Sequence, residues 1–103
     1  MTKEEFDKKS ESGKLILVDF FATWCGPCQM MTPVIEGMKE KYDKDDKVEV
    51  ITIDIDENPE IPAKFSVMSV PSFVYIKNGK VLETVIGATT EDNLTEKLEK
   101  HKK

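Results

Sequence analysis

The segment Leu15-Ile-Leu-Val-Asp-Phe-Phe21 constrains this chain most, because it is apolar on both faces and runs straight into Ala22-Thr-Trp-Cys-Gly-Pro-Cys28. A β-branched and aromatic run that does not alternate predicts a central strand covered on both sides. Pro27 suits the first turn of a helix, where its missing N–H is not needed. Met31, Val34, Ile35 and Met38 recur at i, i+3, i+4 and i+7 and predict one apolar helix face. Met30, Met31 and Met38 together read as core. Pro33 lies inside this helix and predicts a kink near residues 29–33. The helix is expected to fade near Tyr42, with Lys39 to Lys47 as a solvated helix end. Val48 to Ile55 reads as the next strand. Strand, helix and strand in this order predict parallel pairing through a right-handed crossover.

The remaining segments fill in around that unit. Thr2 and Glu5 have the spacing of a capping box, so a short polar helix starts there and ends at Ser12-Gly13. Glu60 to Phe65 is a short helix candidate after the turn Asp56-Glu-Asn-Pro59. Ser72–Ile76 and Val81–Ile86 flank Lys77-Asn78-Gly79-Lys80, and Asn-Gly between β-rich runs is a strong hairpin signal. Thr89 or Thr90 caps a last helix that turns Leu94 and Leu98 inward. The order is α-β-α-β-α-β-β-α. It predicts an α/β fold in one domain, residues 1–103, with a mixed sheet and helices on both faces.

Composition removes several function classes. A chain of 103 residues supports one core. Two cysteines and one histidine cannot supply a four-ligand zinc site by themselves. The chain carries 15 Lys and no Arg against 20 acidic residues, a net charge of −5. That balance argues against nucleic-acid binding, which needs clustered cations. The first residues lack an apolar signal-peptide core, and no apolar run approaches the roughly 20 residues of a membrane helix. The expected compartment is the cytoplasm, with no membrane association. In a reducing compartment two close cysteines are catalytic or metal-binding rather than a passive staple.

Cys25-Gly26-Pro27-Cys28 therefore carries the chemistry. At a helix start the two sulfurs are close enough for a small-ring disulfide. The unpaired N–H groups of the first turn and the positive end of the helix dipole favour a thiolate on Cys25. Cys28, one turn in, is expected to be more buried and less acidic. Cys25 then attacks a substrate disulfide, and Cys28 attacks Cys25 and releases the reduced substrate. Half a zinc site and a pair of inert buried cysteines are the competing readings. The first lacks a second ligand pair, since His101 lies in a lysine-rich tail and is too distal to act as a base. The second does not explain a C-x-x-C that follows a strand directly.

At these residues the chain resembles the thioredoxin family. Val18-Asp19-Phe20, Ala22-x-Trp24-Cys25-Gly26-Pro27-Cys28, Pro33, Asp54-x-Asp56-x-Asn58-Pro59, Val70-Pro71, Asn78-Gly79 and Gly87 all carry the likeness. It covers nearly the whole chain from Phe6 onward. The resemblance implies a thioredoxin fold and a protein-disulfide reductase without a bound cofactor or metal. It implies electrons from an NADPH- or ferredoxin-linked thioredoxin reductase, disulfide-containing protein substrates, and a monomer. Asp19 becomes a proton acceptor for Cys28, against the alternative of an outward Asp at a strand end. Pro71 becomes a cis proline that exposes the Val70 backbone to an extended substrate. Trp24, Gly26, Pro27, Val70, Pro71 and Gly87 form a flat apolar collar around Cys25. Gly26, Pro27 and Pro33 shape the first helical turns.

The chain also departs from the family pattern. Only Met1 precedes the capping box, so the N-terminal edge strand of many members is expected to be missing, leaving four strands. Phe21 stands where many members have a second tryptophan, so Trp24 is the sole one. Thr52 stands where many have a lysine near the buried aspartate, which is expected to leave the Asp19 proton less acidic. A thiol oxidase or isomerase would keep the chemistry and reverse its direction; such relatives tend to carry His between the cysteines. A binding subunit with idle cysteines would use the collar alone.

Overall fold

The computed structural model describes residues 1–103. Thr2 closes the expected capping box. Its hydroxyl accepts the Glu5 N–H at 3.1 Å, and the Glu5 carboxylate accepts the Thr2 N–H at 3.0 Å. This starts α1 (Lys3–Ser10), whose Phe6 is fully buried. Next come β1 (Leu15–Phe21), α2 (Gly26–Lys41), β2 (Val48–Asp54), α3 (Glu60–Lys64), β3 (Ser72–Lys77), β4 (Lys80–Ile86) and α4 (Glu91–Lys102). The element order agrees with the sequence reading. Thr90, not Thr89, caps α4 by accepting the Asn93 N–H; Thr89 instead accepts the Asn93 side-chain amide.

The four strands form one mixed sheet in the order β2-β1-β3-β4. β1 pairs in parallel with β2, and antiparallel with β3, which pairs antiparallel with β4. Asn78 and Gly79 both have positive φ, the backbone that a two-residue hairpin loop requires. The Gly79 N–H donates to the Ser10 carbonyl and ties this hairpin to the end of α1.

Because successive strand residues point to opposite faces, β1 serves two cores at once. Leu15 and Leu17 pack with Met31, Ile35 and Met38 of α2 and with Leu94 and Leu98 of α4. Ile16, Val18 and Phe20 pack with Phe6 of α1 and Ile61 of α3. Burying an aliphatic side chain of this size contributes about 1.5–3 kcal/mol, so both faces of β1 strongly specify its register. Asp19 falls on the α2/α4 face by the same alternation. In register it lies between Thr52 of β2 and Phe73 of β3.

Two expectations about α2 need correction. Met30 is not core: it is 73% exposed. Helical periodicity turns it about 100° from Met31, off the stripe that Met31, Ile35 and Met38 occupy. Lys39 to Lys47 is also not a uniformly solvated end. Tyr42 is buried and donates its hydroxyl to Glu99, Asp45 pairs with Lys102, and Lys39 reaches Thr52. The helix continues through Pro33, which lies on its exposed side.

Candidate active site

The end of β1 and the start of α2 are separated by four residues, so the site is held by the strand below and the helix above. Cys25 is the N-cap of α2, with extended backbone. Its N–H donates to the Ala22 carbonyl, and Gln29 donates its side-chain amide to the Thr23 carbonyl, which braces the connection. Cys25 and Cys28 form a disulfide with Cα atoms 5.2 Å apart. The Cys28 N–H points at Cys25 Sγ from 3.2 Å. A backbone donor at a helix N-terminus, aimed at a sulfur, favours its thiolate form.

The cysteines do not differ in burial as expected: Cys25 is 5% exposed and Cys28 4%. They differ in what surrounds them. Cys25 Sγ lies 3.8 Å from the Val70 carbonyl oxygen. Cys28 lines a cleft of about 170 Å³ with Asp19, Glu36, Lys39 and Thr52.

Asp19 is buried, 5% exposed, and its Oδ1 has no hydrogen-bond partner in the protein. Burial pushes its carboxyl from the ordinary 3.8 up to about 6, with the Lys39 ammonium pulling the other way. The alternative of an outward Asp at a strand end is therefore wrong. The cation expected to be lost with Thr52 is also present. It arrives from α2 as Lys39, whose Nζ donates to Thr52 Oγ1 at 3.4 Å. Nothing in the sequence pattern marked Lys39, because its contact depends on how α2 lies over β2.

Around Cys25, Trp24, Gly26 and Pro27 are exposed, while Val70 and Gly87 are half-buried. The Val70–Pro71 peptide bond is cis. Pro71 itself is buried, so it lies beneath the collar rather than in it. Its carbonyl accepts the Gly87 N–H at 2.8 Å. Gly87 has φ +93 and nothing within 4 Å of an added Cβ, so backbone conformation, not space, is what requires glycine there.

Trp24 is 69% exposed, and its indole N–H donates to Asp56 Oδ2 at 2.9 Å. Asp56 carried part of the family likeness but had no role assigned from sequence. The turn after β2 presents it, with the Asp56 N–H bonded to Asp54 Oδ1. Asp56→Ala is expected to free the indole at a stability change within about 0.5 kcal/mol. Fluorescence anisotropy of the single Trp measures this: it falls in the variant, and an unchanged value would mean that the bond does not hold the ring. His101, as expected, is far from the cysteines; it pairs with Glu83 at 2.7 Å. No three residues of the His, Cys, Asp and Glu types are arranged to hold a metal ion.

A disulfide across one helical turn is a weak staple. A four-residue loop restricts the unfolded chain by about 2 kcal/mol, less than half of what a loop of ~100 residues would. Its place at a helix N-terminus, with a perturbed carboxylate behind it, is instead suited to exchange. The fold and the site thus define a thiol–disulfide oxidoreductase. The thioredoxin family model matches residues 1–100. A thioredoxin of Staphylococcus epidermidis is 46% identical over 101 residues, 98% of this chain and 94% of that protein. Among solved structures, a single-site mutant of a thioredoxin from Halobacterium salinarum superposes with a TM-score of 0.87 at 34% identity, covering 100% of this chain and 88% of that one. A Plasmodium falciparum thioredoxin gives 0.85 at 36% identity, covering 97% and 94%. The chain belongs to the thioredoxin family. It is a protein-disulfide reductase, acting on disulfide substrates and recycled by a thioredoxin reductase.

Proposed function

We propose that Cys25 is the attacking thiolate, Cys28 the resolving thiol and Asp19 the acceptor of the Cys28 proton. Cys25 displaces one sulfur of a substrate disulfide and forms a mixed disulfide. Cys28 gives its proton to Asp19 and attacks Cys25 Sγ. The bond from Cys25 to the substrate breaks, and the second substrate sulfur leaves with the electron pair. The substrate disulfide gains two electrons, and the cysteine pair loses two as its own disulfide forms. No cofactor of its own is needed, since the reducing equivalents reside on the two sulfurs.

The single observation that carries this assignment is that two equally buried cysteines have different surroundings. Cys25 Sγ faces the Cys28 N–H and the Val70 backbone, while Cys28 shares a cleft with Asp19. Trp24, Gly26, Pro27, Val70 and Gly87, underpinned by Pro71, receive the substrate, which pairs in extended form with the Val70 backbone. Pro33 helps aim the first turns of α2. The chain works as a single-domain monomer in the cytoplasm and receives electrons from an NADPH- or ferredoxin-linked reductase. It contains no helix long and apolar enough to cross a membrane.

Competition between the two thiols tests the assignment. When the reduced protein is treated with limiting iodoacetamide at neutral pH and the label mapped by mass, Cys25 is expected to react about tenfold or more faster than Cys28. Equal labelling, or labelling led by Cys28, overturns the order of attack.

A further inference from the structure

The cleft behind Cys28 contains one cation, and it comes from an unexpected element. The ionisable groups that face it are Asp19 from β1 and Cys28, Glu36 and Lys39 from α2. β2 adds only the Thr52 hydroxyl, and β3 lays the apolar Phe73 beside Asp19 in register. Lys39 follows Ile35 by four residues, so the two share one side of α2. Ile35 is buried in the core, and Lys39 emerges one turn further on, where its aliphatic stem can follow the cleft while its head reaches water. The head is anchored: Nζ donates to Thr52 Oγ1 at 3.4 Å, and Thr52 is the register partner of Asp19 on the adjacent strand. Opposite stands a buried carboxylate with one oxygen unpartnered by protein.

We propose that Lys39 is a positioning residue for the resolving step, its ammonium held over β2 by Thr52 so that Asp19 stays ionised and ready to take the Cys28 proton. This rests on the reading of Asp19 as that proton's acceptor. The physical need is clear. A carboxylate buried without a cation holds its proton, and a protonated Asp19 cannot accept another. Glu36 is the only other charged side chain from α2 that lines the cleft, so removing Lys39 leaves Asp19 with no cation there. After resolution the Asp19 proton leaves through the cleft mouth, where Lys39 and Glu36 meet solvent.

The test pairs two readouts in Lys39→Gln. One is the titration of the Asp19 carboxyl by carbon NMR in the oxidised protein. The other is single-turnover release of substrate from the Cys25 mixed disulfide as a function of pH. The Asp19 midpoint, about 6 in the parent, is expected to rise by about half to one pH unit, a modest shift because the ammonium is partly screened by solvent. Release slows about two- to fivefold near pH 6 and is unchanged near pH ~9, where Asp19 is ionised either way. Lys39→Arg retains the parent profile. Adding Thr52→Lys to Lys39→Gln restores it, since the cation then comes from the strand beside Asp19. A packing role would instead slow release at every pH and would not be rescued from β2. An unmoved Asp19 midpoint in Lys39→Gln overturns the proposal. Release at the parent rate in Asp19→Asn overturns the acceptor reading instead, and the midpoint tells the two failures apart.

Discussion

Cys28→Ser halts the cycle with substrate still attached to Cys25. Serine keeps the size and the helix start but replaces the resolving sulfur by a hydroxyl, which does not attack a disulfide at neutral pH. The first displacement needs only Cys25, whose helix N-terminal environment is intact. Substrate therefore enters and cannot leave. Turnover is expected to fall at least ~1,000-fold, the scale of losing an essential nucleophile. Meanwhile a mixed disulfide accumulates to about one equivalent per chain, read by intact mass under non-reducing conditions. The variant cannot form its internal disulfide, so its stability should match the reduced parent and fall about 2 kcal/mol below the oxidised parent. Free substrate with no trapped adduct would show that Cys25 is not the attacking sulfur.

Asp19→Asn has the second large effect, and it acts in two directions. In the oxidised protein the Asp19 carboxyl titrates at about 6, above the 3.8 of an ordinary aspartate. The folded state therefore holds this proton more tightly than the unfolded chain. Below about pH 4 both states are protonated and the group costs nothing. Between pH 4 and 6 the unfolded chain ionises first, and stability falls as pH rises. Above pH 6 the full cost remains, about 3 kcal/mol. Asparagine removes the charge, but its amide is left short of partners, at a cost of about 1–2 kcal/mol. The variant is thus expected to be about 1–2 kcal/mol more stable near pH 8 and no more stable than the parent near pH 4. For a domain of this size each kcal/mol is about 4–8 °C in Tm, so paired thermal melts at the two pH values decide it. Resolution of the mixed disulfide should slow about 100-fold at pH 7, the lower range for a lost general base. A stability difference independent of pH would mean that the carboxylate is solvated.

Much of this was legible before any tertiary contact was known. The alternation-free run from Leu15 to Phe21 required cover on both faces, and both faces are covered. Asn78-Gly79 specified its hairpin because few other pairs adopt positive φ at two successive positions. Thr2 and Glu5 located the first helix through a reciprocal bond that spans only three residues. Met30 misled because hydrophobic identity was counted without its helical phase. Asp56 and Lys39 were not legible as partners of Trp24 and of the Asp19 cleft. Both contacts join residues on different elements, beyond the reach of any local pattern.

The division is one of range. Sequence by itself determined the elements, the cysteine pair at a helix start and the direction in which that helix biases its first sulfur, because each depends on residues within a turn or two of one another. Only the tertiary structure decided that the two cysteines are equally buried yet face different surroundings, that Pro71 lies under the collar rather than in it, and that the Asp19 cleft takes its cation from α2. Those facts depend on how a helix lies across a twisted sheet, where a small rotation changes which side chain meets which.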